Sequence, residues 1–120
     1  MSRNKAVGEY GERIARKYLT SKGCRIIEAN LKLSYREIDI IALEGDVLVF
    51  AEVKTRVLPG LGSAEDTLGQ VKIKRLKVAL GHYLSLFKGT DYRRVRLDFI
   101  AIDISREKKT AKIKHFKDIV

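Results

Sequence analysis

Residues 37–54, EIDIIALEGDVLVFAEVK, decide the fold, because two apolar, β-branched runs flank a short polar turn. The runs 37–43 and 47–54 predict two antiparallel strands joined as a hairpin. A two-residue loop of Gly45 and Asp46 has a favoured type II′ pattern, and it pairs residues whose numbers add up to 91. A three-residue loop would want glycine at its last position, where Asp46 stands, and would shift the register by one. We therefore predict the two-residue loop.

This register has a chemical consequence for two carboxylates of the hairpin. It places Asp39 directly opposite Glu52, with Cβ atoms about 5 Å apart. Glu52 and Lys54 project from one face, because alternate residues of a strand share a face. A like-charge pair so close is unfavourable unless a cation or a proton lies between the carboxylates. Oxygen ligands suit Mg²⁺ or Mn²⁺, and we predict a metal site of Asp39, Glu52 and the backbone carbonyl of Val53.

Such a site is an arrangement for phosphodiester hydrolysis. The metal ion neutralises charge that develops on the phosphate, and Lys54 lies beside it to hold a water molecule. The alternative is that Asp39, Glu52 and Lys54 form a solvated salt-bridge ladder on an open face of the sheet, since a lone Glu-x-Lys is a weak signal. Against this, Asp39 interrupts one apolar run and Glu52 to Lys54 close another, where unpaired carboxylates are costly.

The rest of the chain predicts helices and strands around this hairpin. The predicted elements are a helix at 6–22 ended by Gly23, a strand at 24–30, a mobile loop at 55–66, a second helix at 67–87, a strand at 95–104 and a short edge strand at 112–116. This order predicts an α/β fold, a mixed sheet covered by helices on both faces. At 120 residues, we expect 1–120 to be one domain.

The charge of the chain indicates a polyanionic partner. It has 25 Lys and Arg residues against 15 Asp and Glu, a formal net charge of +10 and a pI near 9.9. Nucleic acid is the commonest partner of such a surface, although a merely soluble basic protein shares this balance. The residues predicted to contact nucleic acid are Arg36, Arg56, Gln70, Lys72, Lys74 and Arg75.

The sequence also indicates a compartment. No stretch approaches the roughly 18 consecutive apolar residues of a membrane-spanning helix. The basic start of the chain lacks the apolar region of a signal peptide. Cys24 is the only cysteine, which excludes an internal disulfide and a cysteine-based zinc site. We expect a cytoplasmic protein with no membrane partner.

The hairpin motif resembles the Asp…(Asp/Glu)-x-Lys signature of the restriction-endonuclease-like nucleases. A longer set of residues resembles the YraN-like bacterial family, which is itself similar in pattern to archaeal Holliday-junction resolvases. These residues are Gly8-Glu9-Tyr10-Gly11-Glu12, Asn30, Glu37 to Ala42, Leu48 to Arg56, Lys72, Arg75-Leu76, Tyr83-Leu84 and Arg96-Leu97-Asp98. The resemblance implies a restriction-endonuclease-like α-β-β-β-α-β core.

The resemblance also implies a catalytic role for a glutamate on the first helix. Glu9 is the favoured residue and Glu12 is the alternative, although either could simply pair with Arg13 or Arg16 one turn later. One departure from the family pattern is Arg36, which stands where the family usually has glycine.

Together, these features predict a Mg²⁺-dependent (or Mn²⁺-dependent) endonuclease that acts on structured or branched DNA. By analogy with resolvases, a branched substrate would require two active sites and hence a homodimer. The alternative function is a nucleic-acid-binding protein that keeps the nuclease fold with little or no cleavage activity. A third hypothesis is a basic scaffold protein whose charged ladder is structural.

Overall fold

The computed structural model describes residues 3–33, 36–59, 70–86 and 91–119, which form two helices and one five-stranded sheet. The elements are α1 (Arg3–Ser21), β1 (Arg25–Leu33), β2 (Arg36–Glu44), β3 (Val47–Leu58), α2 (Gln70–Leu86), β4 (Arg94–Ser105) and β5 (Thr110–Phe116). The strands lie in the order β1-β2-β3-β4-β5. The predicted α/β class and the α-β-β-β-α-β order are confirmed, with β5 added as an edge strand.

The hairpin of β2 and β3 has the predicted register. Ile40 pairs with Ala51 and Glu44 pairs with Val47, so the numbers of paired residues add up to 91. Gly45 has a φ of 60°, whereas Asp46 is absent from the residues with positive φ, which is the type II′ pattern. The turn residues therefore set the register, because a two-residue loop permits only one pairing of the flanking strands.

β3 is longer than the sequence indicated. The expected mobile loop at 55–66 is wrong for its first part, because β3 continues to Leu58, which pairs with Ser105. The cause is the parallel neighbour β4, which pairs with β3 from Val47 onwards and supplies hydrogen-bonding partners along its length. Residues 60–66 of that loop, and 67–69 and 87 of the predicted second helix, lie outside the described residues.

Two apolar layers hold the helices on opposite faces of the sheet. Ala51 and Val53 face α1, whereas Leu48 and Phe50 face α2, as strand alternation requires. α2 lies between β3 and β4 in the chain and provides the crossover that a parallel pair needs. Fully burying each large apolar side chain contributes about 1.5–3 kcal/mol. The two layers therefore fix where both helices lie.

α1 ends at the predicted glycine. Gly23 has a φ of 91°, and its amide donates to the carbonyl of Thr20 at 3.0 Å. The amide of Cys24 donates to the carbonyl of Leu19, also at 3.0 Å, which completes a Schellman motif. A residue with a Cβ is strained at this φ, so glycine determines the end of the helix.

Gly11 is the point of closest approach between α1 and β3. A Cβ atom added there would lie 2.7 Å from Cβ and 2.8 Å from Cγ2 of Thr55, so no side chain fits without displacing the helix. Gly8 lies one turn earlier, and an added Cβ there would meet nothing within 4 Å. Gly11 therefore sets the distance between the sheet and the glutamate that follows it, Glu12.

We expect Gly11→Ala to destabilise the protein and Gly8→Ala to stabilise it. Overpacking against Thr55 costs about 1–3 kcal/mol. Alanine at Gly8 gains about 0.5–1 kcal/mol, because it restricts the unfolded chain and favours the helix. Urea unfolding of the two variants measures both changes. Equal stability of the two variants would contradict the close packing at Gly11.

Candidate functional site: an acidic centre where two strands part

The acidic centre lies where β2 and β3 stop pairing. Their pairing ends at Ile40 and Ala51, although both strands continue beyond these residues. The next contact is made by a side chain, because Oδ2 of Asp39 accepts a hydrogen bond of 2.9 Å from the backbone amide of Val53. The side chain of Asp39 therefore accepts the hydrogen bond of a β3 amide at the point where the strands separate. This bond holds the carboxylate in the gap between them.

The carboxyl group of Asp39 is hydrogen-bonded to that of Glu52. Burial, together with the charges of Glu52 and Glu12, raises the pKa of Asp39 to about 8, although the hydrogen bond from the Val53 amide lowers it. Near neutral pH, Asp39 thus holds a proton beside Glu52, which is one of the two ways of relieving the repulsion between two such carboxylates. A divalent cation is the other.

Two further glutamates join this centre. The side chains of Glu12, Glu37 and Asp39 each offer a carboxylate oxygen, and these oxygens lie within 4.8 Å of one another. Glu12 comes from α1, whereas Glu37 precedes Asp39 by two residues on β2. Oxygen donors at this spacing have the chemistry of a Mg²⁺, Mn²⁺ or Ca²⁺ site. The described residues can therefore hold a divalent cation, and the donor set leaves open which one.

Asn30 holds the carboxylate of Glu12. Burial and the charge of Glu37 raise the pKa of Glu12, and a hydrogen bond from the side chain of Asn30 partly opposes them. Asn30 has a φ of 54°, a left-handed conformation that asparagine tolerates better than most residues. It lies between Ala29 and Leu31, which pair with Ile40 and Ile38 of β2. An irregular residue of β1 thus connects α1 with the acidic centre.

The structure brings together some of the predicted site residues and separates others. Asp39 and Glu52 are in contact, and Val53 donates its amide to Asp39. Lys54 is half-buried on β3, two residues after Glu52. Glu9 is exposed on α1 and lines a shallow hollow with Glu12 and Asn30, but it is not part of the carboxylate cluster of the described residues.

The residues predicted to contact nucleic acid are spread over two elements. Arg56 is half-buried on β3, and Lys74 and Arg75 are exposed on α2. The side chains of Arg36, Gln70 and Lys72 lie outside the described part of the chain. Their predicted contacts with nucleic acid stay predictions.

Glu37 is the residue that sequence reasoning did not single out for the site. Its position could have indicated this role. Residues two apart on a strand share a face, and Glu37 stands two residues before Asp39. Glu12 was an alternative to Glu9 on sequence grounds. Its contact with the centre depends on how α1 is rotated on the sheet, which the close approach of Gly11 and Thr55 determines.

We expect binding of Mg²⁺ or Mn²⁺ to release about one proton at pH 7. Asp39, with its pKa of about 8, is mostly protonated there and must lose its proton to ligate a cation. Affinity should rise about tenfold per pH unit below pH 8 and level off above it. Calorimetry in buffers of different ionisation enthalpy measures the released proton. Asp39→Asn should remove the pH dependence, and binding without proton release would contradict the raised pKa.

A second charged cluster, beneath α1 on β4, is a paired network. The side chain of Asp98 is 0% exposed and accepts hydrogen bonds from Nε (2.8 Å) and Nη2 (3.0 Å) of Arg96. It also accepts from Nε2 of His115 (2.7 Å) and from the amide of Asp118 (3.0 Å). The hydroxyl of Tyr18 lies 3.0 Å from Nδ1 of His115. The network connects α1, β4, β5 and the residues after β5.

In the part of the chain that the structure describes, neither helix is long and apolar enough to cross a membrane.

A mixed five-stranded sheet flanked by helices, with carboxylates gathered where two strands part, defines an α/β protein with a candidate metal site. The model of the uncharacterised protein family UPF0102 matches residues 11–102, and the chain belongs to this family. This confirms the YraN-like family that the sequence motifs resembled.

The relatives match along nearly their whole length. A UPF0102 protein of Rhodococcus jostii is 39% identical over 118 residues, which cover 98% of both chains. One of Kineococcus radiotolerans is 38% identical over 110 residues, 92% of this chain and 89% of the relative. One of Alkaliphilus metalliredigens is 40% identical over 106 residues, 88% of this chain and 92% of the relative.

Proposed function

We propose that this protein is a Mg²⁺- or Mn²⁺-dependent endonuclease that hydrolyses phosphodiester bonds in structured or branched DNA. The observation that carries the proposal is the contact between Asp39 and Glu52, with Glu12 and Glu37 close by, at the point where β2 and β3 part. Carboxylates that must otherwise share a proton are a site for a cation. The restriction-endonuclease-like fold belongs to this proposal, supported by the order of elements and by the motif of Asp39 with Glu52 to Lys54.

The metal ligands in this proposal are Asp39, Glu52 and the carbonyl of Val53. The amide of Val53 points to Asp39. Within a strand, the amide and carbonyl of one residue face the same neighbouring strand, so the carbonyl of Val53 faces the gap as well. Glu12 supplies a further carboxylate from α1, and Glu37 another from β2. A divalent cation bound there would neutralise the charge that develops on the phosphate.

Lys54 and Glu9 complete the proposed machinery. Lys54 follows Glu52 by two residues, so its ammonium group shares that face of β3 and orients the attacking water. Glu9 is exposed in the hollow beside Glu12 and is the nearer of the two to solvent, where it serves as a proton acceptor. Arg56 adjoins the site on β3, and Lys74 and Arg75 add positive charge on α2 that attracts the DNA backbone.

Two broader features belong to the same proposal. A branched substrate requires two cuts, so the active form is a homodimer with one acidic centre in each protomer. We propose a cytoplasmic location as well, since the proposed substrate is DNA and the chain holds a single cysteine.

The test is a cleavage assay of the purified protein on single-stranded, duplex, flapped and four-way DNA, with Mg²⁺, Mn²⁺, Ca²⁺ or EDTA. We expect cleavage of at least one branched substrate with Mg²⁺ or Mn²⁺ and none with EDTA. The second candidate function is nucleic-acid binding without cleavage, which the net charge of +10 supports independently of the acidic centre. Binding of all four DNAs with no cut product under any metal would favour that candidate.

A further inference from the structure

A groove extends from Val53 and Lys54, the residues that follow Glu52 on β3, to the turn that joins β4 and β5. One hollow of about 670 Å³ is lined by Val53, Lys54 and Arg106, among others. A second hollow of about 520 Å³ continues from Arg106 to Lys109. Both are lined by Val7, Val57 and Arg106, so they adjoin. We call the two hollows together the end groove, because they lie at the end of the sheet where β3 and β4 finish.

The walls of the end groove combine three kinds of side chain. Val57 and Ile104 give it an apolar lining, and Tyr10 stands in its wall with 48% of its surface exposed. Arg106 and Lys109 are exposed cations on the turn after β4. The chain therefore places an exposed aromatic ring and apolar surface beside two positive charges.

Tyr10 is held in position by its own helix. The guanidinium carbon of Arg13, one turn later on α1, lies 5.7 Å from the centre of the Tyr10 ring. At an exposed site such a cation–π contact contributes about 0.5–1 kcal/mol, which favours this orientation of the ring before any ligand arrives. An exposed tyrosine ring with a preferred orientation is a suitable surface for stacking.

These features match one form of nucleic acid. An unpaired strand presents base faces that stack on aromatic rings, while its phosphates pair with nearby cations. A duplex hides its base faces and presents phosphates and groove edges, so an apolar wall gains little from it. The combination of Tyr10, apolar lining and two cations therefore favours the unpaired strand.

We propose that the end groove binds an unpaired DNA strand and leads it into the acidic centre. The substrate would then be DNA with a single-stranded segment next to the cut, such as a flap or an overhang. This inference rests on the proposed function for the cut itself, but strand binding in the end groove can be measured without cleavage.

The experiment measures binding of a labelled oligothymidylate of about 16 nucleotides, in EDTA, over a series of salt concentrations. Tyr10→Ala should weaken binding about 5- to 150-fold, the effect of losing one stacked base, and Tyr10→Phe should bind as the wild type does. Arg106→Ala and Lys109→Ala should each lower the slope of log K against log salt by about 0.7. Arg93→Ala is the matched control, because its side chain is 87% exposed beside Asp46 at the other end of the sheet.

The outcomes test strand binding in the end groove separately from DNA cleavage. Oligothymidylate binding that is unchanged in Tyr10→Ala, or salt slopes equal to that of Arg93→Ala, would overturn the proposal even if the protein cuts DNA. If all three groove variants lost as much affinity for a duplex of the same length as for the oligothymidylate, the proposal would be overturned too. The groove would then not distinguish unpaired strands from duplex DNA. Selective loss of single-strand binding supports it, even if no DNA is cut and the proposed function fails.

Discussion

Asp39→Asn and Glu52→Gln are each expected to reduce DNA cleavage by about 10²- to 10³-fold, the scale of losing a group that stabilises transition-state charge. Both substitutions keep the shape of the side chain and remove its ability to ionise and ligate a cation. Without either carboxylate, the gap between β2 and β3 loses a principal attraction for a divalent cation. DNA binding in EDTA should persist in both variants, because neither substitution removes a positive charge that could attract the phosphates.

Asp46→Asn is the matched control for this prediction. It makes the same chemical change in the same hairpin, at the turn that lies at the far end of both strands. Single-turnover cleavage of the best branched substrate, with Mg²⁺ and with Mn²⁺, measures the effect. Cleavage that survives both Asp39→Asn and Glu52→Gln, or that falls equally in Asp46→Asn, would exclude the acidic centre as the active site.

Asp98→Ala is expected to destabilise the fold by about 3–5 kcal/mol, the cost of breaking a buried ion pair on one side. The side chain of Arg96, only 13% exposed, would lose two hydrogen bonds and keep its ion pair with Glu44 at 3.0 Å. His115 and the amide of Asp118 would each lose an acceptor inside the protein. The free energy of unfolding in urea measures the loss, and a change below about 1 kcal/mol would contradict the network.

The same network predicts how acid acts on stability. Burial alone would raise the pKa of Asp98, but the hydrogen bonds from His115 and Arg96 outweigh it and hold the pKa below its ordinary value. Its contribution is therefore fully present above the ordinary pKa of an aspartate and is lost as pH falls through the lowered value. Asp98→Asn should remove this acid-dependent part. Asp46→Asn, at an exposed turn, should leave it unchanged.

Asp39 acts on stability in the opposite direction. Its pKa is raised to about 8, so its proton stabilises the metal-free fold at low pH, and that contribution is lost as pH rises toward 8. The two aspartates differ because Asp98 is surrounded by donors, whereas Asp39 faces other carboxylates. This contrast separates a carboxylate that holds the fold together from one that needs a cation.

The sequence by itself determined the central hairpin and its register. Gly45 and Asp46 permit a type II′ turn, and the apolar runs on either side give one register that buries the correct face. Asp39 and Glu52 were therefore predictable as neighbours. Gly23 likewise determined the end of α1 through its φ of 91°. Each of these depends on residues close together in the chain.

The tertiary structure alone decided which other groups reach the acidic centre. Glu12 was not separable from Glu9 by sequence, because both lie on a flanking face of one helix. The rotation of α1 that brings Glu12 to the centre comes from the contact of Gly11 with Thr55, which lies 44 residues later in the sequence. The length of β3 depended on its pairing with β4, and the partners of Asp98 came from β4, from β5 and from the residues after β5. Local sequence determines turns and faces, whereas contacts between distant segments decide how charged groups meet.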